Sequence, residues 1–111
     1  MNNDHALSLV SSAGEDNQPV GSSYRLVARG EIDLATAGQL ADAVQSLIDQ
    51  GATLIVLDTA GVQFLDSSGL RVIINAGNKL SDAGGRLLIE GMSGAVQRVL
   101  EVSGLIERYR S

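Results

Sequence analysis

The sequence changes from a strand-like to a helix-like pattern at Asp66-Ser67-Ser68-Gly69-Leu70. Upstream lie an apolar run at residues 53–58, the turn-prone Thr59-Ala60-Gly61 and a second apolar patch at 62–65. Downstream, apolar side chains recur at helical spacing, so Ser67 or Ser68 occupies the position of an N-cap residue. The junction therefore places two hydroxyl groups at the boundary between a predicted strand and a predicted helix.

Four apolar segments are typical of β-strands and lie at residues 7–12, 24–29, 53–58 and 86–91. A polar loop at 15–23 joins the first two as a long hairpin. Helical patterns separate the second, third and fourth strands, which favours parallel pairing of these three, and the hairpin adds an antiparallel edge. The predicted fold class is therefore α/β, a mixed sheet with helices packed on it, in the order β-β-α-β-α-β-α. The third strand is apolar on both faces and is expected to be the most buried.

Three apolar stripes predict helices at residues 37–48, 67–81 and 94–103, and residues 105–109 form a last short strand or a docked tail. The first helix starts either with Asp33 as its N-cap or with Thr36 and Gln39 as a capping box. The third helix has Ser93 as its N-cap and Gly104 as its stop.

Two polar segments follow two of the predicted parallel strands. Gly30-Glu31-Ile32-Asp33 breaks the second strand, and residues 66–69 follow the third. The carboxyl ends of parallel strands gather at one edge of a sheet, where binding sites collect. We therefore expect these two segments to be neighbours at one edge of the domain.

The composition excludes several kinds of partner. The chain has 111 residues, 44% of them hydrophobic, and no cysteine, which is typical of a single globular domain without disulfides or thiol chemistry. A net charge of −5 and scattered basic residues argue against nucleic acid as a partner. Apolar runs are far shorter than the roughly 20 residues that span a bilayer, and residues 1–5 lack the features of a secretory signal. We expect a cytoplasmic protein with no direct membrane insertion.

The chain lacks the residues that catalysis at the junction would require. A serine nucleophile needs a base, and the sole histidine is His5, near the N-terminus. Position 66 holds Asp, so the junction does not match the Gly-x-Ser-x-Gly elbow. Asp33, Asp58 and Asp66 are not accompanied by His or Cys ligands. We therefore predict no catalytic residue, no metal site and no cofactor, in a protein that is not an enzyme.

The two serines have a structural and a regulatory interpretation. In the structural one, which spacing alone favours, one serine caps the helix and the other is solvated. In the regulatory one, a kinase modifies an exposed serine beside Gly69, and the phosphate meets the free amides and positive end of the helix dipole. The added charge of about −2, beside Asp66 and Asp33, would repel an acidic partner surface or block a close-fitting one.

Three segments resemble the STAS domain of bacterial anti-sigma factor antagonists. They are residues 30–33, residues 62–70 and the stretch from Ala95 to Leu105. The segments occur in the family's order, and the resemblance covers about residues 7–106. It implies a single STAS domain over 1–111 with its core at about 7–106, and a mixed sheet with helices packed on it.

The resemblance implies a function in partner switching. Family members bind an anti-sigma factor that is also a serine kinase, which frees the sigma factor, and phosphorylation reverses the binding. By motif position the phosphoacceptor is Ser67, with Ser68 as the alternative, while Asp33, Asp66 and Gly69 belong to the partner-binding surface. ATP and Mg²⁺ belong to the kinase, and a phosphatase restores the active form. The implied setting is bacterial transcription regulation in a stress response.

The resemblance leaves a second function open, namely an adaptor subunit of a lipid-transport ATPase or of a stress-sensing complex, without regulatory phosphorylation. Family members commonly continue into another amphipathic helix, whereas this sequence stops at Ser111. The fourth helix is therefore expected to be missing or very short. A missing helix would leave a face such as that of Val96 and Val99 more exposed.

Overall fold

A computed structural model of the protein describes residues 7–13 and 22–110, which contain four strands and four helices. The strands are β1 (Leu7–Ala13), β2 (Ser22–Ile32), β3 (Ala52–Leu65) and β4 (Arg86–Glu90). The helices are α1 (Ala37–Asp49), α2 (Ser67–Asp82), α3 (Gly94–Val102) and α4 (Ile106–Tyr109). His5 and residues 15–21 of the predicted polar loop lie outside the described residues.

The four strands form one mixed sheet in the order β1-β2-β3-β4. β1 pairs antiparallel with β2, from Leu7 opposite Gly30 to Ala13 opposite Tyr24. β2 and β4 each pair parallel with β3. The predicted α/β class, the antiparallel edge and the parallel pairing of the other strands are confirmed.

Strands β2 and β3 are longer than the sequence predicts. β2 begins at Ser22, inside the predicted loop, and continues through Gly30-Glu31-Ile32, where a break is predicted. β3 continues through Thr59-Ala60-Gly61, the predicted turn, and ends at Leu65. Both predictions are wrong because the two strands pair along almost their whole length and shifts in register absorb the irregular residues. At one of these shifts Gly30 has a φ of +108°, a backbone conformation that favours glycine.

One face of the sheet carries the core. Leu26, Leu57 and Ile89 lie in register across three strands and are each exposed by only 1%. Buried side chains from all four described helices belong to the same core cluster. The helices therefore cover this face of the sheet and hold the carboxyl ends of β2 and β3 in fixed positions.

The opposite face of the sheet is only partly covered. Val56 and Leu88 are half-buried there, in register with Arg25. The Arg25 guanidinium lies 2.8 Å from an Asp58 carboxylate oxygen and 2.7 Å from a Glu90 carboxylate oxygen. Over residues 54–58, β3 is thus buried on one face and half-buried on the other.

Helix α1 uses both predicted cap residues, but neither in the predicted way. Its N-cap is Thr36, whose side chain makes no cap hydrogen bond, so the capping box is wrong. The Thr36 hydroxyl instead donates to the Glu31 carbonyl at 2.7 Å and accepts from the Asp33 amide at 2.9 Å. The Asp33 carboxylate accepts from the amides of Ala35 and Thr36. The two side chains together close a turn that precedes the helix.

The C-terminal part confirms the predicted ends of α3. Ser93 is its N-cap and accepts a hydrogen bond from the Val96 amide at 3.2 Å. Gly104, with a φ of +77°, follows the helix as predicted. Residues 106–109 form a helix of one turn, α4, with Tyr109 buried in the core, so the segment is the expected docked tail and the alternative of a last short strand is wrong. Val96 is fully buried because α3 packs against β3, so the expected exposure is wrong for Val96, whereas Val99 is only half-buried.

Among the described residues, no helix combines the length and the hydrophobicity that crossing a membrane requires.

Candidate functional site

The two predicted polar segments meet at the start of α2. Ile32 and Leu65 are the last residue pair of the β2–β3 ladder, and the Asp66 amide donates to the Ile32 carbonyl at 3.1 Å. A Cβ atom on Gly69 would lie 2.5 Å from Leu65 Cδ1 and 2.6 Å from Ile32 Cγ2. Only glycine lets the first turn of α2 approach the two strand ends this closely. Gly69 therefore fixes where the helix starts, as the predicted site requires.

Asp66 caps helix α2. Its Oδ1 accepts hydrogen bonds from the Ser68 amide at 2.8 Å and the Gly69 amide at 3.1 Å. The prediction that Ser67 or Ser68 is the N-cap is wrong, because the carboxylate one residue earlier satisfies the free amides. A carboxylate at this position also interacts favourably with the positive end of the helix dipole.

The cap by Asp66 leaves both serine side chains uncommitted. Ser67 is the first residue of α2 and is exposed, whereas Ser68 is half-buried. Neither hydroxyl makes a hydrogen bond to another described residue. The structural interpretation, in which one serine caps the helix, therefore no longer accounts for either of them.

An apolar cleft opens beside Ser67, between the start of α2 and helix α3. Its volume is about 390 Å³. The cleft is lined by Leu65, Asp66, Ser67, Leu70, Arg98, Val99, Val102 and Ser103. Val102, one of the lining residues, is 85% exposed. The cleft thus offers apolar contact area directly beside an available hydroxyl.

Arg98 and Val102 are not among the site residues predicted from the sequence. Positions 98, 99, 102 and 103 share one face of a helix, so the spacing alone could have grouped them. The spacing cannot, however, predict that α3 lies beside the start of α2. That position depends on how Val96 and Leu100 pack into the core.

Leu34 is a further exposed apolar residue near the junction, and sequence reasoning also missed it. It follows Asp33 in the turn between β2 and α1 and is 82% exposed. The half-buried Asp33 carboxylate holds this turn through the amides of Ala35 and Thr36. Asp33 therefore shapes the surface that presents Leu34.

The three aspartates considered as metal ligands serve separate purposes. Asp66 caps α2, Asp33 closes the turn before α1, and Asp58 forms an ion pair with Arg25. Within residues 7–13 and 22–110, no group of three or more His, Cys, Asp or Glu side chains is arranged to hold a metal ion.

A second cleft, of about 280 Å³, lies between helices α1 and α2. A hydrogen bond of 2.8 Å from Lys79 to Gln45 spans the two helices that form it. Neither serine of the junction lines it.

The sequence of this chain matches a family model described as "Mlab, STAS domain" over residues 17–107. The chain belongs to the STAS domain family. The predicted family is thereby confirmed, and the junction with its two serines lies within the matched STAS region.

Named relatives of this STAS chain are bacterial regulators. The anti-sigma-B factor antagonist of Bacillus subtilis is 33% identical over 76 residues, which are 68% of this chain and 69% of that protein. The anti-sigma-F factor antagonist RsfB of Mycobacterium tuberculosis is 28% identical over 81 residues, 73% of this chain and 66% of that protein. The solved structure of the anti-sigma factor antagonist SpoIIAA in its unphosphorylated form superposes with a TM-score of 0.73 at 24% identity. The superposition covers 96% of this chain and 86% of SpoIIAA, and it shows that the two proteins share a fold.

Proposed function

We propose that this STAS chain is an anti-sigma factor antagonist that is controlled by phosphorylation of Ser67. It binds an anti-sigma factor with serine kinase activity and thereby releases a sigma factor. The kinase contributes ATP and Mg²⁺, and the chain itself is a binding partner rather than an enzyme. The observation that carries this proposal is the exposed Ser67 hydroxyl, which has no hydrogen-bond partner among the described residues.

The environment of the two serines favours Ser67 over Ser68 as the phosphoacceptor. A kinase must reach the hydroxyl and align it with the γ-phosphate of ATP. Ser67 is exposed and lines the open cleft, whereas Ser68 is half-buried and its amide binds Asp66. During transfer the Ser67 Oγ bonds to the γ-phosphorus of ATP, the bond from that phosphorus to the β,γ-bridging oxygen breaks, ADP leaves with this oxygen, and a base of the kinase accepts the hydroxyl proton.

A phosphate on Ser67 is compatible with the fold. The group would lie at the first position of α2, where the positive end of the helix dipole favours an anion. SpoIIAA, which shares this fold, has been solved in both an unphosphorylated and a phosphorylated form. The added charge of about −2 would adjoin Asp66, so an acidic or close-fitting partner surface would be repelled. Phosphorylation thus changes binding without unfolding the chain.

The partner-binding surface in this proposal combines polar and apolar residues. Asp33, Asp66 and Gly69 set its shape, and Ser67 and Ser68 form its centre. The strongly exposed Leu34 and Val102 lie on the two elements that flank it. Exposed apolar side chains on these two elements would add apolar contact area to an interface with a partner.

The proposed setting is the bacterial cytoplasm, where transcription takes place, and a phosphatase returns the chain to its binding form. The relatives named above come from bacteria. We further propose that residues 1–111 act as one STAS domain with a core at about 7–106.

The direct test is to incubate the chain with its anti-sigma factor and Mg-ATP, and then map the phosphate by mass spectrometry. We expect one phosphate, on Ser67, which Ser67→Ala abolishes and the matched control Ser68→Ala retains. Labelling of Ser68 alone would move the site by one residue, and labelling of neither serine would refute the switch. Undiminished partner binding by Ser67→Asp would favour the adaptor function instead.

A further inference from the structure

A basic residue, Arg98, lines the same cleft as Ser67. Both residues line it, Ser67 from the start of α2 and Arg98 from α3. Arg98 is exposed and makes no hydrogen bond or ion pair with another described residue. By contrast, Arg25 binds Asp58 and Glu90 elsewhere in the structure. One cleft is therefore lined by an arginine and a serine whose side chains make no hydrogen bond to another described residue.

We infer that Arg98 binds the phosphate group carried by Ser67 and thereby draws α3 toward the start of α2. The inference rests on the proposed function for the phosphate itself. A guanidinium offers a planar pair of N–H donors that matches two phosphate oxygens, and such charge-assisted hydrogen bonds are stronger than neutral ones. Arg98 would thus be a phosphate-binding residue supplied by a second helix.

The charges around Ser67 explain why a positive charge from a second helix would stabilise the phosphate. The phosphate would adjoin the Asp66 carboxylate, which caps α2. Arg71, four residues after Ser67, offers one positive charge along the same helix. On α3, Glu101 accepts a hydrogen bond from Gln97 and faces solvent. Without Arg98, only the Arg71 side chain and the helix dipole would offset the negative charges of the phosphate and of Asp66.

Binding of the phosphate by Arg98 would also change the apolar surface. Val99 follows Arg98 directly, and both line the cleft together with Leu65 and Leu70. Movement of Arg98 toward Ser67 would narrow the cleft over these side chains. Phosphorylation would then weaken partner binding in two ways, through charge repulsion and through loss of apolar contact area. Ser67→Asp, with a single charge and a shorter side chain, would reproduce the first effect better than the second.

The test places phosphoserine at position 67 of the full chain by genetic encoding, so no kinase is required. The melting temperatures of the serine and phosphoserine forms are compared for the wild type and for Arg98→Gln. For each protein, the effect of the phosphate is the melting temperature of the phosphoserine form minus that of the serine form. We expect this difference to be about 2–4 °C more negative in Arg98→Gln than in the wild type. This difference should shrink in 1 M NaCl, where charges are screened within about 3 Å.

Two controls make the result specific. Arg86→Gln removes another exposed arginine, which lines a different cleft beside Tyr109, and should leave the effect of the phosphate unchanged. Amide NMR spectra should show phosphate-dependent shifts at residues 98–103 in the wild type that Arg98→Gln abolishes. An equal effect of the phosphate in wild type and Arg98→Gln would overturn the inference, as would an effect that only Arg71→Gln removes.

The two failures can be told apart. If the kinase does not modify Ser67, the proposed function fails, but encoded phosphoserine still reports on Arg98. If the kinase modifies Ser67 and Arg98→Gln changes nothing, the function stands and only this inference falls.

Discussion

Helices α1 and α2 begin at the same edge of the sheet, and each start combines an aspartate with a hydroxyl side chain. Before α1, Asp33 and Thr36 satisfy one another and the Glu31 carbonyl, and Thr36 is only 5% exposed. Before α2, Asp66 alone satisfies the free amides, and Ser67 remains exposed and unbonded among the described residues. A hydroxyl at a helix start is therefore structural or available depending on which neighbour satisfies the backbone.

Among the substitutions considered, we expect the largest loss of stability from filling the closely packed position at the start of α2. Gly69→Ala should lower the free energy of unfolding by about 2–3 kcal/mol, because the new methyl group overlaps Leu65 and Ile32. Gly38→Ala, in the first turn of α1, is the matched control, since no atom lies within 4 Å of its Cβ position. The control should be neutral or stabilising by up to about 1 kcal/mol. Equal urea denaturation midpoints for both variants would contradict the described approach of α2 to the strand ends.

Removal of the buried Thr36 hydroxyl should give the second-largest loss of stability. Thr36→Val keeps the shape of the side chain but removes the hydroxyl that donates to the Glu31 carbonyl and accepts from the Asp33 amide. We expect a loss of about 2 kcal/mol in unfolding free energy, measured by chemical denaturation. A loss below about 0.5 kcal/mol would remove the distinction between the two helix starts.

Removal of the N-cap of α2 should give the third-largest loss of stability. Asp66→Ala should cost about 1 kcal/mol, because the amides of Ser68 and Gly69 lose their acceptor. Asp66→Asn retains an acceptor and should recover at least half of that loss. Asp82→Ala, at the other end of α2, should cost nothing, since an acidic side chain gains nothing from the dipole there. If Asp66→Ala were as stable as wild type, one of the serines would have to replace Asp66 as the cap.

The available hydroxyl gives the smallest effect on stability. Ser67→Ala should change the unfolding free energy by less than about 0.5 kcal/mol, because no hydrogen bond to a described residue is lost. A loss comparable to that of Thr36→Val would mean that Ser67 is structural after all. Thermal denaturation of Ser67→Ala beside Thr36→Val decides between these outcomes.

The position of the site could be predicted from the sequence because it follows from topology. Two strand–helix–strand units place residues 30–33 and 66–69 at the same edge of the sheet, and the Asp66–Ile32 hydrogen bond confirms it. The cap could not be assigned, because aspartate and serine are equally good N-cap residues and stand side by side at positions 66–68. Only the backbone geometry of the junction selects Asp66.

The extent of the strands and the cleft depend on contacts that local patterns do not contain. Thr59-Ala60-Gly61 has the composition of a turn, yet pairing with β2 keeps it in the sheet, with Gly61 opposite Arg29. The cleft exists because α3 packs against β3 and brings Val99 near Leu65. Tertiary packing therefore determines which of the polar residues near the junction, Arg98 among them, can act together.

The measurement that tests the central claim most directly is the affinity of the anti-sigma factor for two forms of this chain, one with serine and one with phosphoserine at position 67. Isothermal titration calorimetry at constant salt gives both values. We predict that the phosphoserine form binds at least about tenfold more weakly, a difference of about 1.4 kcal/mol, because like charges at an interface are costly. Equal affinities of the two forms would contradict the claim that the available hydroxyl of Ser67 is the switch.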